Sequence, residues 1–106
     1  MSTKKNINKA AIAKLESLAK EKLSFGSLLK AIRLGEEMSQ VEFAYLLGVS
    51  KQYLCDLEKG RKFVSPKVAA SFALKLHYSD KQFIRLCLQD MVNRDGFNLI
   101  ISVEAT

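Results

Sequence analysis

Apolar residues along the 106-residue chain recur mostly at helical spacing, and the interruptions between the periodic stretches carry recognisable start and stop signals. Residues 8–23 place Ala11, Leu15 and Leu18 on one stripe among lysines, which predicts an amphipathic helix. Ser24 and Gly26 interrupt this pattern. Leu28, Leu29 and Ile32, flanked by Lys30 and Arg33, restart it as far as Gly35 and predict the first helix of a core domain. Ser39 and Glu42 have capping-box spacing, so a second helix should begin at Gln40, bury Phe43, Leu46 and Leu47, and stop at Gly48.

Ser50 then caps a third predicted helix, Lys51 to Lys59, with Leu54 and Leu57 inward and Lys51, Gln52, Cys55, Asp56 and Lys59 outward before Gly60 ends it. A basic loop over 61–64 leads to Ser65-Pro66, a cap followed by proline at the first helical position. Val68, Ala69, Phe72, Ala73 and Leu76 form the core stripe of this fourth helix. Ser79 to Gln82 repeats the capping-box spacing, and Phe83, Leu86, Cys87 and Met91 carry a fifth helix towards Gly96. Phe97, Leu99, Ile101 and Val103 then alternate with Asn98, Ile100, Ser102 and Glu104, which reads as a short strand. A lone strand needs a neighbour, and the same segment of a second copy, antiparallel across a two-fold axis, is the expected one.

Composition narrows the picture. One core and no second domain fit this length, and 48% apolar residues are enough to fold it. Lys and Arg outnumber Asp and Glu by 17 to 11, a net charge of +6 that favours polyanionic partners. Much of that surplus lies in residues 1–23. Cys55 and Cys87 stand 32 residues apart with His77 between them and form no metal-ligand pattern, so reduced thiols and no metal or cofactor are expected. The chain shows no signal-peptide core and no membrane-length apolar run, hence a cytoplasmic location and no membrane partner. No nucleophile, base and orienting group share a local motif, which argues against an enzyme.

Residues 39–59 carry the functional signal. Two short helices joined by Gly48-Val49-Ser50, the second polar on its outer face, suit a helix laid in a DNA major groove. Ala44 is small where the helices approach, Gly48 permits the turn, and Val49, Leu54 and Leu57 pin the second helix. Through IRLGEEMSQVEFAYLLGVSKQYLCDLEKGRK and the helix that follows, over about residues 25–78, the chain resembles the lambda repressor-like, Xre-type helix-turn-helix regulators. The resemblance implies an all-α, five-helix lambda repressor-like DNA-binding domain over 24–95. Here it would be extended by the basic amphipathic helix at 1–23 and the short C-terminal β-strand at 96–106.

It also implies roles. Lys51, Gln52 and Asp56 would read bases: lysine suits guanine acceptors, glutamine the paired donor and acceptor of adenine, aspartate the cytosine amine. Gln40, at a helix N-terminus that favours anions, Ser50, Tyr53, Lys59, Arg61 and Lys62 would meet the DNA backbone. Arg33 and Glu58 would form a partly buried structural pair. The function expected is a sequence-specific regulator of double-stranded DNA, a homodimeric repressor on a near-palindromic operator. An antitoxin that binds a toxin protein and represses its own promoter is the alternative.

Overall fold

Serine stands at the N-cap of every described helix in the computed structural model, which describes residues 23–106. The described helices are α1 (Phe25–Gly35), α2 (Gln40–Leu47), α3 (Lys51–Glu58), α4 (Pro66–Leu76) and α5 (Asp80–Arg94). Apart from Leu23, the helix expected over 8–23 lies outside the described residues. Ser24, Ser39, Ser50 and Ser65 each accept a hydrogen bond from the backbone N–H three residues on, satisfying a donor that the first helical turn leaves unpaired. Ser39 and Glu42 complete the expected capping box, because the Ser39 N–H donates to the Glu42 carboxylate at 2.8 Å.

The second box does not form. Ser79 makes no side-chain cap; its ψ is 126°, against 156–169° at the other four serines, and the Phe83 N–H reaches the Ser79 carbonyl only at 3.4 Å.

The core is one cluster to which every helix contributes, with Leu28, Leu29, Ile32, Phe43, Leu47, Leu54, Leu57, Phe83 and Leu86 fully buried. Phe25 joins α1 to the last two helices: its ring lies edge-on to Phe83 at 5.7 Å and beside Phe72 at 6.3 Å. α4 packs along α5, and α3 packs against both α1 and α2. An eight-residue helix such as α3 would not persist alone, so its anchoring falls to Leu54 and Leu57, each worth roughly 1.5–3 kcal/mol on burial.

Three expectations about the inward faces need correcting. Leu46, Val68 and Met91 are exposed, and in α2 the small Ala44 takes the buried place beside Phe43 and Leu47. Periodicity marks a stripe, but the neighbouring helices cover only part of its width. Gly26 does not interrupt a helix either. It lies in the first turn of α1, and a Cβ there would stand 2.1 Å from the Leu57 carbonyl oxygen, so the missing side chain lets α1 rest on the backbone at the end of α3.

The C-terminal strand is likewise not formed: the described residues contain no strand, and those beyond Gly96 run without regular structure. The Gln89 side chain occupies the place of a neighbouring strand. Its amide donates to the Leu99 carbonyl at 2.7 Å and accepts from the Ile101 N–H at 2.8 Å, the pattern a parallel strand would offer. The second amide hydrogen is directed to Asn93 Oδ1 at 3.0 Å. A side chain has a single amide, so this pairing cannot propagate into a ladder. Phe97, Leu99 and Ile100 stay exposed.

Candidate nucleic-acid interface

The turn between α2 and α3 is fixed from both sides. Gly48 has φ 77°, a left-handed conformation that costs an ordinary residue about 1–2 kcal/mol, and the Gly48 and Val49 N–H groups return to the Tyr45 and Ala44 carbonyls. Lys75 reaches across from α4 and donates to the Leu47 carbonyl at 2.8 Å, placing a cation at the negative end of α2. Ser50 then starts α3, its hydroxyl accepting from the Tyr53 N–H.

The far end of α3 is held by the pair that the family resemblance implies. Arg33 donates from two nitrogens to the two oxygens of Glu58, at 2.8 and 3.1 Å, and also to the Met38 carbonyl. Both side chains are largely out of water, with 11% and 3% exposed. Such a forked, desolvated pair fixes orientation better than it adds net stability, because each charge loses its hydration on burial. Gln40 joins it through an Nε2 hydrogen bond to Glu58 Oε1 at 3.1 Å, which directs its side chain into the network rather than out to solvent.

The outward side of α3 carries Lys51 and Gln52, both exposed, with Lys59, Arg61 and Lys62 exposed just beyond its end. Asp56 behaves differently from these neighbours. Its Oδ1 accepts from Gln52 Nε2 and from Arg61 Nε, both at 3.1 Å, and its own backbone carbonyl accepts the Arg61 and Lys62 N–H groups. The Asp56 side chain is 14% exposed, the Arg61 side chain 57%. Tyr53 packs partly on the core, with the Lys62 ammonium 5.8 Å from its ring centroid. Cys55 is half-buried on the same helix.

The structure thus brings Gln52, Asp56 and Arg61 together, and separately joins Gln40 to Arg33 and Glu58. Lys51 and Lys59 stand apart from both clusters. The capping hydrogen bonds from the Ser39 backbone and side chain hold the Glu42 carboxyl below its ordinary value.

Residues overlooked in the sequence lie behind this surface. Gly26 carries no pattern to reveal it, and Lys75 reads as an ordinary solvent-facing lysine. Asp90 is buried in a cavity of about 200 Å³ lined also by Phe25, Leu57, Phe63, Val64 and Arg94. It accepts the Phe25 N–H at 3.1 Å, a cap supplied from 65 residues away. Burial pushes its carboxyl up, against the opposing pull of that hydrogen bond and of Arg94. Burial likewise raises the thiol of Cys87, with the Asp90 charge adding to the effect; Cys87 donates to the Val64 carbonyl.

No group of three or more His, Cys, Asp or Glu residues that could hold a metal ion is found among the described residues, and no described helix is long and apolar enough to cross a membrane. His77 ends α4 in a left-handed conformation, with φ 62°.

A model of the helix-turn-helix domain matches residues 24–80, more than half of the chain. Over 73 residues the chain is 30% identical to the ImmF control region 10 kDa protein of Bacillus phage phi105, covering 69% of this chain and 80% of that one. No solved structure matches the chain.

Proposed function

Since the chain belongs to the helix-turn-helix domain family, we propose that it is a sequence-specific DNA-binding regulator, a repressor that acts as a homodimer on a near-palindromic operator. The observation that carries this reading is the division of α3 into two sides. Leu54 and Leu57 are fully buried, whereas Lys51 and Gln52 project outward from a helix fixed at its start by Ser50 and at its end by Glu58. That is the presentation a major groove requires.

Lys51 and Gln52 read bases in this proposal, each good contact contributing roughly 1–3 kcal/mol of discrimination. Lys59, Arg61 and Lys62 hold phosphates, with Tyr53 and Ser50 against the sugar-phosphate backbone. Gln40 contributes through the N-terminus of α2, since its side chain is engaged with Glu58. The control-region name of the phage relative supports a regulatory role. A second copy would cover the exposed Phe97, Leu99 and Ile100 and set two α3 helices about 34 Å apart along the DNA.

The test is binding of the purified protein to DNA from upstream of its own gene and to scrambled DNA, at two salt concentrations. Preference for the upstream DNA, abolished by Gln52→Ala in a folded protein, is the expected result. Equal and strongly salt-dependent binding to both would leave only a basic surface and refute sequence reading. Light scattering at micromolar concentration should give twice the chain mass.

A further inference from the structure

The Gln52, Asp56 and Arg61 cluster has a geometry that a set of three independent DNA contacts would not need. Asp56 lies one turn after Gln52 on α3, and the chain turns back at Gly60 so that Arg61 returns to the same carboxylate. One oxygen, Asp56 Oδ1, receives both the Gln52 amide and the Arg61 guanidinium. Little of the Asp56 side chain is left to solvent, and its charge is balanced by the arginine beside it.

We propose that Asp56 is a positioning residue: it sets which way round Gln52 presents its amide and ties that reader to the phosphate grip of Arg61. This rests on the sequence-reading function proposed above. The chemistry follows from the amide. Adenine in the major groove offers the N6 amine as donor and N7 as acceptor, so a glutamine must present its oxygen and one N–H in a defined order. A free glutamine can rotate its amide by half a turn and present the reverse order. With one Nε2 hydrogen on Asp56, the NH2 end is fixed towards the carboxylate, while Oε1 and the second hydrogen remain for the base. Arg61 uses its Nε on Asp56, which leaves the two terminal nitrogens for a phosphate oxygen pair.

The experiment selects binding sites for the full chain from randomised duplex DNA, then repeats the selection with Asp56→Asn, Asp56→Ala and Gln52→Ala/Asp56→Ala, after circular dichroism has shown that each variant folds. Asp56→Asn keeps an acceptor for the Gln52 amide but loses the charge opposite Arg61. It should retain the adenine preference, while the Arg61 charge freed from its partner makes binding vary more steeply with salt. Asp56→Ala should weaken discrimination at that one base pair by about tenfold, and adding Gln52→Ala should cause no further loss there.

Loss of a cytosine preference at a different base pair in Asp56→Ala, with the adenine preference intact, would make Asp56 a reader and overturn the assignment. An unchanged motif in Asp56→Ala would overturn it too, leaving sequence reading in place. No motif from the unmodified chain would instead refute sequence reading itself, and the assignment with it.

Discussion

Glu58 and Asp90 are carboxylates at opposite ends of α1, both withdrawn from water, and the fold compensates them unequally. Glu58 meets a forked guanidinium from Arg33 and an amide from Gln40, so each of its oxygens has a partner. Asp90 receives one backbone N–H from Phe25, and burial outweighs that hydrogen bond in raising its carboxyl. The first arrangement locates the end of α3; the second closes the start of α1. A forked ion pair thus fixes the orientation of a helix end, and a carboxylate with a single hydrogen bond is tolerated where a helix N-terminus offers a partial positive charge.

Breaking the compensated end should have the largest effect. Glu58→Ala strands the Arg33 guanidinium and should cost about 3–5 kcal/mol in denaturant unfolding. Loss of DNA binding in that variant would report unfolding as much as contact, so the two are to be measured together. Gly26→Ala, at the start of α1, disturbs the end of α3 by sterics instead of charge, since the new methyl group meets the Leu57 and Glu58 backbone, which cannot rotate away. A loss of about 1–3 kcal/mol is expected, with DNA affinity reduced in the fraction that remains folded.

Changing the other carboxylate should act in the opposite direction. Asp90→Asn keeps an oxygen for the Phe25 N–H without burying a charge, and should raise stability at pH 7 by on the order of 1 kcal/mol. The raised carboxyl means that the folded state holds the proton more tightly than the unfolded chain does. Asp90 therefore destabilises fully above its raised pKa, and the penalty fades as pH falls towards its ordinary value of 3.8. The advantage of Asp90→Asn over the unmodified protein should shrink across the same window in thermal melts; a constant advantage would mean that the charge is not its source.

Glu42 runs the other way: its lowered pKa gives stability that is present above the ordinary value of 4.5 and lost as pH falls through the lowered one. The smallest effect expected is from His77→Gly, which relieves a left-handed side-chain residue at the end of α4 and should add up to about 1 kcal/mol.

What could be read in advance was local. Capping serines at 39, 50 and 65, the glycine stop at 48 and the buried Leu54 and Leu57 depend on neighbours within a few residues, and all stand where the sequence puts them. The Arg33 and Glu58 pair came through family resemblance, as periodicity has no means of pairing residues 25 apart. The same limit hid Asp90 and Lys75, whose partners are 65 and 28 positions away. Gly26 was misread because a glycine that breaks a pattern and a glycine that admits a neighbouring backbone look alike in one dimension. The tail failed for a different reason. Alternation shows that a segment can be extended, but whether it becomes a strand depends on what lies beside it, and beside this one lies a side chain.

That side chain leaves a signature in time as well as in space. With the Ile101 N–H held by Gln89 and with no ladder around it, amide hydrogen exchange beyond Phe97, whose own N–H returns to the Val92 carbonyl, should show a slowed site at Ile101 among fast neighbours. The lifetime of that site would report how long the tail remains docked on α5. Apolar residues on a segment attached at a single rung can change position by the opening of one pair of hydrogen bonds, without any helix unfolding.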